Sequence, residues 1–426
     1  MKTSKKLLIL LVIFSLGIVV GKFLLTSKTP TPGPPVPPNY FKVKSEETPG
    51  LSESDTSLSQ VFSGEIIEVK DGGSIQDAVK AAEPGDLIRV FPGTYKETVY
   101  IDKDDIKFQG IIIEGAWPVL DGEKELNDAF LYSGNGISIE NFKIVNYKGN
   151  GIMGQAGNNF VLRNNWIVDA GVYGIFPQFG KNGLIEHNIL SGIEDAAIYV
   201  GMCDNVDVLH NETYENVAGI EIENSRHCLV ENNYSHDNTG GILVFVTPGL
   251  PIKTCFDIIV RNNFVINNNH ENFGAPGSIV AGIPSGTGIL IMAADEVTIE
   301  NNIITGNNNA GITIADLSNI TNVAEDPESE PNPDRLVLLD NFMSNNGNAP
   351  TGELKILMAT QLSARGPDIL AVGGGTGSCI WDKNRYRTFG LDNFGTCEIA
   401  STANITTFML DEPVAPREIG IEEQGK

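Results

Sequence analysis

The chain has 426 residues, a formal net charge of −25 and 46 glycines. So acidic a chain is not expected to bind nucleic acid, because phosphate binding needs clustered Lys and Arg. The charge also disfavours a polyanionic substrate, unless a basic patch or a bridging Ca²⁺ compensates. Length alone allows two or three domains, but regularly spaced Gly and Asn argue for a repeat protein.

The N-terminus has the pattern of an export signal. Lys2, Lys5 and Lys6 precede an apolar run that continues to Gly21 and is interrupted by Lys22. We predict that residues 1–28 form an uncleaved signal anchor that places the rest outside the cytoplasm, in a periplasmic or extracellular location. Because the run is short for a membrane span, a cleaved signal peptide and a secreted protein remain the alternative. The Pro-rich and then polar residues 29–60 are predicted to be a disordered linker.

A repeat of about 23 residues occupies the middle of the chain. Each unit contains a short alternating strand, an Asn, a second short strand, a polar turn, and a Gly followed by alternating apolar residues. The Asn column reads Asn141, Asn165, Asn188, Asn211, Asn233, Asn263, Asn302 and Asn341. Three short strands per repeat predict an all-β fold, a right-handed single-stranded parallel β-helix over residues 61–350. Stacked Asn amides would satisfy the backbone at an inward bend.

The two ends of the β-helix have their own signals. A helix is predicted from Ser74, with Asp77 completing a capping pattern, and would cap the open end of the sheets. Residues 351–411 are predicted to cap the far end, and residues 412–426 to be a disordered tail. Cys379 and Cys397 would form a disulfide in an oxidising compartment, with free thiols as the alternative. The spacing of Cys and His predicts no metal or cofactor, although Ca²⁺ could bind.

The Gly-initiated strands should alternate between core and solvent. Their predicted inward stack is Ile175, Ile198, Ile220, Ile242, Ile289 and Ile312. One outward column is Met153, Phe176, Tyr199, Glu221, Leu243, Leu290 and Thr313, and the column beside it is Gln155, Gln178, Gly201, Glu223, Phe245, Met292 and Ala315. Three insertions after Asn233 lengthen consecutive coils, and the first two could wall a groove over these columns.

Glu221 and Glu223 are the candidate catalytic residues. Residues i and i+2 on one strand face lie roughly 7 Å apart, which suits paired-carboxylate glycoside hydrolysis. The alternative is that both are solvated surface glutamates. His270, in a long insertion, could serve as a base or merely stabilise its loop. The predicted substrate-binding residues are Gln155, Phe176, Gln178, Tyr199 and Phe245, whereas Phe179 is expected to turn inward.

The stretch "GSIQDAVKAAEPGDLIRVFPGTYKE" and the coils after it resemble the pectin-lyase-like family of carbohydrate-binding and sugar-hydrolase β-helices. Within it, "YGIFPQFGKNGLIEHNIL" resembles the catalytic coil of periplasmic alginate C5-epimerases, which carry Tyr-Gly-Ile-Asp-Pro-His-Asp at this point. Here Phe176, Gln178 and Phe179 replace the acid and base residues, so this resemblance predicts no epimerase activity. "YVGMCDNV" and "GTGILIMAADEVTIENN" are similar to a bacterial group of exported β-helix proteins, which implies the fold and an exported location.

Together these features predict an exported, membrane-tethered β-helix that binds a cell-envelope or extracellular polysaccharide. Whether it is an enzyme is left open. One alternative is a glycoside hydrolase or polysaccharide lyase that uses Glu221 and Glu223. The other is a structural or assembly protein that docks a protein partner through its inserted loops. No nucleic-acid partner is expected.

Overall fold

Short alternating segments joined at residues with left-handed backbone build three sheets of a right-handed parallel β-helix. The computed structural model describes residues 64–319 and 326–402. The predicted signal anchor, linker and C-terminal tail lie outside the described residues. Within those ranges, no helix has the length and apolar character needed to cross a bilayer.

Each complete coil passes once through three sheets whose strands are all parallel. In the described residues, the first sheet consists of Ile66–Val69, Leu87–Val90, Lys107–Gly110, Ser138–Glu140, Val161–Arg163, Lys181–Glu186, Asp204–Leu209, Arg226–Glu231, Phe256–Arg261, Asp295–Glu300, Val337–Leu339, Cys379–Ile380 and Gly395–Thr396. The second sheet consists of Gly93–Tyr95, Pro118–Asp121, Lys143–Val145, Trp166–Val168, Ile189–Ser191, Glu212–Tyr214, Tyr234–His236, Phe264–Ile266, Ile303–Thr305 and Phe342–Ser344. The third sheet consists of Val99–Ile101, Phe130–Tyr132, Ile152–Gln155, Tyr173–Gln178, Ala196–Gly201, Ala218–Glu223, Gly240–Phe245, Thr287–Met292, Ala310–Ala315, Ile369–Val372 and Thr388–Phe389.

Two α-helices and three single turns of 3₁₀ helix accompany these strands in the described residues. They are α1 (Ile75–Ala81), α2 (Gly352–Thr360) and the turns Val280–Gly282, Leu317–Asn319 and Lys383–Arg385. The predicted helix after Ser74 is confirmed, because Ser74 Oγ accepts a hydrogen bond from Asp77 N at 3.1 Å. Ile75, Ala78 and Val79 of α1 join the hydrophobic core.

The predicted inward stack is confirmed. Ile175, Ile198, Ile220, Ile242, Ile289 and Ile312 all have 0% exposure and pair in register. Burying an isoleucine side chain is worth about 1.5–3 kcal/mol, so a column of six is a major contribution to the stability of the fold. The core therefore extends along the whole β-helix axis.

The Asn ladder is confirmed from Asn165 to Asn341. Asn188, for example, donates through Nδ2 to Asn211 Oδ1 at 3.0 Å and to the Leu162 carbonyl at 2.9 Å, and its backbone N donates to the same Oδ1. Every link thus satisfies a backbone N–H and a backbone carbonyl, together with the amide groups themselves, that the bend would otherwise bury without partners.

The placement of Asn141 in this column was wrong. Asn141 has a left-handed φ of 65° and occupies the position of Asn164, one residue before the ladder. Phe142 takes the inward place instead, and its backbone N donates to Asn165 Oδ1 at 3.1 Å. The ladder ends there because the coil before Asn165 fills the bend with aromatic packing between Phe130 and Phe142, whose ring centroids are 5.1 Å apart.

A second ladder, which the sequence analysis missed, runs through the next bend. Its members are Asn216, Asn238, Asn268, Asn307 and Asn346, all with 0% exposure. Each stands five residues after an Asn of the first ladder, a spacing that was visible in the sequence. The two ladders flank both ends of five strands of the second sheet, namely Glu212–Tyr214, Tyr234–His236, Phe264–Ile266, Ile303–Thr305 and Phe342–Ser344.

The five cysteines comprise one disulfide, the predicted one, and three buried thiols. Cys379 and Cys397 form a disulfide near the C-terminal end of the first sheet. Cys203, Cys228 and Cys255 are buried free thiols in the core, where burial raises the pKa of each. Buried neutral thiols of this kind pack as small apolar residues rather than act as nucleophiles.

Candidate active site

The two predicted outward columns exist on the third sheet. Register pairs Met153 with Phe176, and Tyr199 with Glu221 and then Leu243. The neighbouring column runs in register through Gln155, Gln178, Gly201, Glu223 and Phe245. The alternation of side chains along each strand therefore places the residues as the sequence indicated.

The prediction of an open groove over these columns is wrong. Phe176, Tyr199, Glu221, Glu223 and Phe245 are only 8%, 5%, 1%, 6% and 2% exposed. Phe176, Tyr199 and Phe245 belong to a second hydrophobic cluster, separate from the core of the β-helix, and Glu221 and Glu223 are buried on the same sheet face. We call this cluster and its carboxyl groups the covered site.

The cover is the inserted segment 269–286. Val280, the first residue of its 3₁₀ turn, and Ile283, the residue after the turn, pack into the covered site. Asn272 holds the segment in shape, because its Nδ2 donates to the carbonyls of Val280 and Ile283 at 2.8 and 2.9 Å. The insertion covers the outward columns because both surfaces are apolar, and removing apolar surface from water is favourable.

Three rings form one end of the covered site. Tyr173 lies with its ring centroid 4.6 Å from Phe176 and 4.5 Å from Tyr199, and the centroids of Phe176 and Tyr199 are 4.7 Å apart. Gly201 is required beside them, since a Cβ there would meet Tyr199 Cε1 at 2.2 Å. The Tyr199 ring therefore lies along the sheet face over Gly201.

Phe179 does not join these rings. We expected it to turn inward, but its side chain is 38% exposed. Its left-handed φ of 57° ends the strand and turns the side chain to the surface.

A third carboxyl group, which the sequence analysis missed, accompanies the two glutamates. Asp195 immediately precedes the strand Ala196–Gly201, and the register of Tyr173 with Ala196 brings it to the rings. The equivalent position in other coils is held by Val172, Val217 and Thr239. Asp195 is the acidic residue among these positions, and this difference could have identified it from the sequence.

Burial raises the pKa of all three carboxyl groups. The pKa of Asp195 rises to about 7. The pKa of Glu221 lies well above its ordinary value, first because of burial and then because of the charge of Asp195. Burial also raises the pKa of Glu223 to about 7, although the Thr247 hydroxyl donates to Glu223 Oε1 and favours the ionised form. Near neutral pH the site can therefore hold both protonated and ionised carboxyl groups.

Glu221 has a buried carboxyl oxygen, Oε1, without a hydrogen-bond partner in the described residues. A buried acceptor without a partner costs free energy unless a ligand or a proton compensates. Burial raises the pKa of Tyr173, and the charges of Asp195, Glu221 and Glu223 raise it further, so its hydroxyl lies within electrostatic reach of all three carboxyl groups.

The remaining predicted site residues lie outside the covered site. His270 is exposed, and its imidazole contacts the Glu271 carbonyl at 2.8 Å and the Phe273 ring within its own loop. Gln155 is exposed and Gln178 half-buried, and they pair in register at the edge of the strip.

A separate cluster of three acidic side chains resembles a cation-binding site. The carboxylate oxygens of Asp295, Glu330 and Asp334 lie within 4.8 Å of one another. Arg335 already pairs with Asp295 at 3.5 Å, and Asp295 Oδ1 accepts from Asp334 N. These contacts explain the cluster without an ion, and they leave the predicted possibility of Ca²⁺ without support here.

A profile of the family described as "Right handed beta helix region" matches residues 99–247 and 245–325, more than half of the chain. The chain belongs to this family. A search of curated proteins found no match.

Several solved structures are similar to this β-helix at low identity. The A-module of mannuronan C-5 epimerase AlgE4 from Azotobacter vinelandii is 14% identical, covering 72% of this chain and 81% of its own, with a TM-score of 0.49. An alginate lyase from Paenibacillus sp. str. FPU-7 is 16% identical, covering 68% and 98%, with a TM-score of 0.49. DFA-IIIase from Arthrobacter chlorophenolicus A6 is 13% identical, covering 80% and 100%, with a TM-score of 0.47. At these values we draw no conclusion about chemistry.

Proposed function

We propose that this β-helix binds and processes a polysaccharide outside the cytoplasm, and that its N-terminal segment tethers it to the membrane. The observation that carries the proposal is the covered site itself. Three carboxyl groups with raised pKa values stand beside three packed rings on one sheet face. Sugar rings offer apolar faces to aromatic side chains and glycosidic oxygens to acids, so both features suit a glycan.

The chemistry that fits best is glycoside hydrolysis. Protonated Glu221 would donate its proton to the glycosidic oxygen while the bond from that oxygen to the anomeric carbon breaks. Ionised Glu223 or Asp195 would take a proton from the water that attacks the same carbon. A carboxyl pKa of about 7, as for Glu223 and Asp195, allows such a group to gain and lose a proton near neutral pH.

Substrate could reach these groups only if the segment 269–286 moves. Val280 and Ile283 are its main apolar contacts with the site. Loops that open and close over a carboxyl site are common in enzymes and exclude water during the reaction. We therefore assign this segment the role of a lid.

The burial of Phe176 and Tyr199 favours a second candidate function, that of a structural or assembly protein. If the insertion packs permanently on the strip, the protein would be a structural or assembly protein whose loops dock a partner. In that case the carboxyl groups would be inert, and no glycan would yield products.

The deciding experiment measures reducing-end release from a panel of neutral and acidic polysaccharides by the full-length protein in detergent. We expect release by the wild type and a loss of at least 100-fold in Glu221→Gln and in Glu223→Gln. Glu231→Gln, on the outer face of the first sheet, is the matched control and should retain activity. Absence of products from every polymer, or equal activity in all four proteins, would refute the hydrolase.

A further inference from the structure

The outer face of the second sheet carries exposed aromatic side chains that the covered site does not use. Tyr234, Phe264 and Phe342 are 40%, 45% and 57% exposed. They and half-buried Ile303 occupy one column, in register from coil to coil. We call these four residues the aromatic row.

One ring of the row is held firmly in place. Tyr234 stacks on His236 with ring centroids 3.9 Å apart, and His236 stacks in turn on Tyr214 at 5.4 Å. The imidazole is fixed by Glu212 Oε1 at 3.2 Å and Asp237 Oδ2 at 2.8 Å. A ring that is already ordered loses little entropy when a ligand binds, which favours binding.

Polar side chains border the aromatic row on both sides. Asn232, Asn262, Asn301 and Asp340 stand two residues before its members, and Asp237, Asn267 and Asn345 stand three residues after them; all except half-buried Asn262 are exposed. Their left-handed backbone explains the choice of Asn and Asp, with φ between 39° and 57°. Their amide and carboxylate atoms nevertheless flank the rings, where they can exchange hydrogen bonds with hydroxyl groups.

We propose that the aromatic row binds a neutral, linear glycan that lies along the β-helix axis. Coils are about 4.8 Å apart, so the three steps from Tyr234 to Phe342 span on the order of 14 Å, comparable with a short run of extended pyranose rings. Exposed apolar side chains between two polar borders match a sugar chain, which has apolar ring faces and hydroxyl edges. The net charge of −25 disfavours a polyanion, which makes a neutral polymer the expected occupant.

The proposal rests on the proposed function for its ligand class and adds a surface separate from the covered site. The aromatic row lies on the second sheet, whereas the carboxyl groups lie on the third. Its role would be to retain a long polymer while the covered site acts on it.

The test is binding of the full-length protein in detergent to immobilised mixed-linkage β-glucan, galactomannan, dextran and polygalacturonate, by surface plasmon resonance. We expect at least one neutral polymer to bind the wild type, and the double variant Phe264→Ala/Phe342→Ala to bind at least tenfold more weakly. Tyr100→Ala removes a ring of equal exposure, 57%, from the third sheet and should bind like the wild type.

Each other outcome overturns the proposal. Equal binding by the double variant, or binding by polygalacturonate alone, would show that the aromatic row is not the site for neutral glycans. Failure of every neutral polymer to bind would also refute the aromatic row as a glycan site. The hydrolase proposal would not be affected by that result, because the release of reducing ends tests it separately. A wild-type dimer that dissociates in the double variant, seen by sedimentation, would identify a second copy of the chain as the occupant instead.

Discussion

Tyr173 and Tyr199, in successive coils, pack with ring centroids 4.5 Å apart beneath the inserted segment 269–286. The pair joins two features of the covered site, since Tyr199 is 5% exposed among apolar residues and Tyr173 stands beside the carboxyl groups. Aromatic packing and raised carboxyl pKa values therefore occur together on one buried sheet face.

Phe176→Ala and Tyr199→Ala should each destabilise the protein by roughly 3 kcal/mol or more, because truncation of a buried ring leaves a cavity. Equilibrium denaturation measures the change in unfolding free energy. Tyr100→Ala, at 57% exposure, is the control and should change it little. Losses below 1 kcal/mol in both buried variants would mean that the lid does not cover the rings in solution.

The stability of the protein should fall as the pH rises from about 4.5 to 7, since Glu223 and Asp195 have raised pKa values of about 7 in the folded state. The folded protein holds these protons while the unfolded chain has released them, so higher pH favours unfolding. A shift of this size in Glu223 alone corresponds to on the order of 3 kcal/mol.

Melting temperatures of the wild type and Glu223→Gln across this pH range test the assignment. The variant cannot ionise at this position and should lose part of the pH dependence. Glu231→Gln, altered outside the covered site, should keep the wild-type slope. If the slope of Glu223→Gln equals that of the wild type, the carboxyl group does not titrate as described.

His236 should add stability at low pH. Burial lowers its pKa, but hydrogen bonds and charge from Glu212 and Asp237 outweigh burial, so the folded pKa is raised above 6.5. Because the folded pKa is the higher one, this contribution is complete below pH 6.5 and disappears as the pH rises through the folded value. Nuclear magnetic resonance titration of the His236 ring should give a midpoint above 6.5; a midpoint at or below 6.5 would contradict the contacts.

Asn233→Leu and Asn238→Leu, one in each ladder, should each cost about 1–3 kcal/mol, because the amides of both neighbouring coils and two backbone groups lose a partner. Both side chains are 0% exposed, and urea denaturation gives the change directly. Gln155→Leu, at an exposed position of the third sheet, is the control. Unchanged stability in the second-ladder variant alone would limit the structural role to the first ladder.

The sequence by itself determined the fold and the direction of most side chains. Strict alternation within strands allows only one face to be buried, so the inward stack and the outward columns followed from the pattern alone. The first ladder and the disulfide of Cys379 with Cys397 were equally predictable, since a repeat brings equal positions together and an oxidising compartment pairs nearby thiols. The second ladder was present in the same pattern and was overlooked.

Tertiary structure alone decided how the outward face is used. The pattern shows that Glu221 and Phe176 point away from the core, but it cannot show whether an insertion from a later coil covers them. Segment 269–286 does cover them, because its Val280 and Ile283 bury apolar surface against the rings. Strand register places Asp195 with the glutamates, and burial raises their pKa values, since desolvation depends on every neighbour and not on the local sequence.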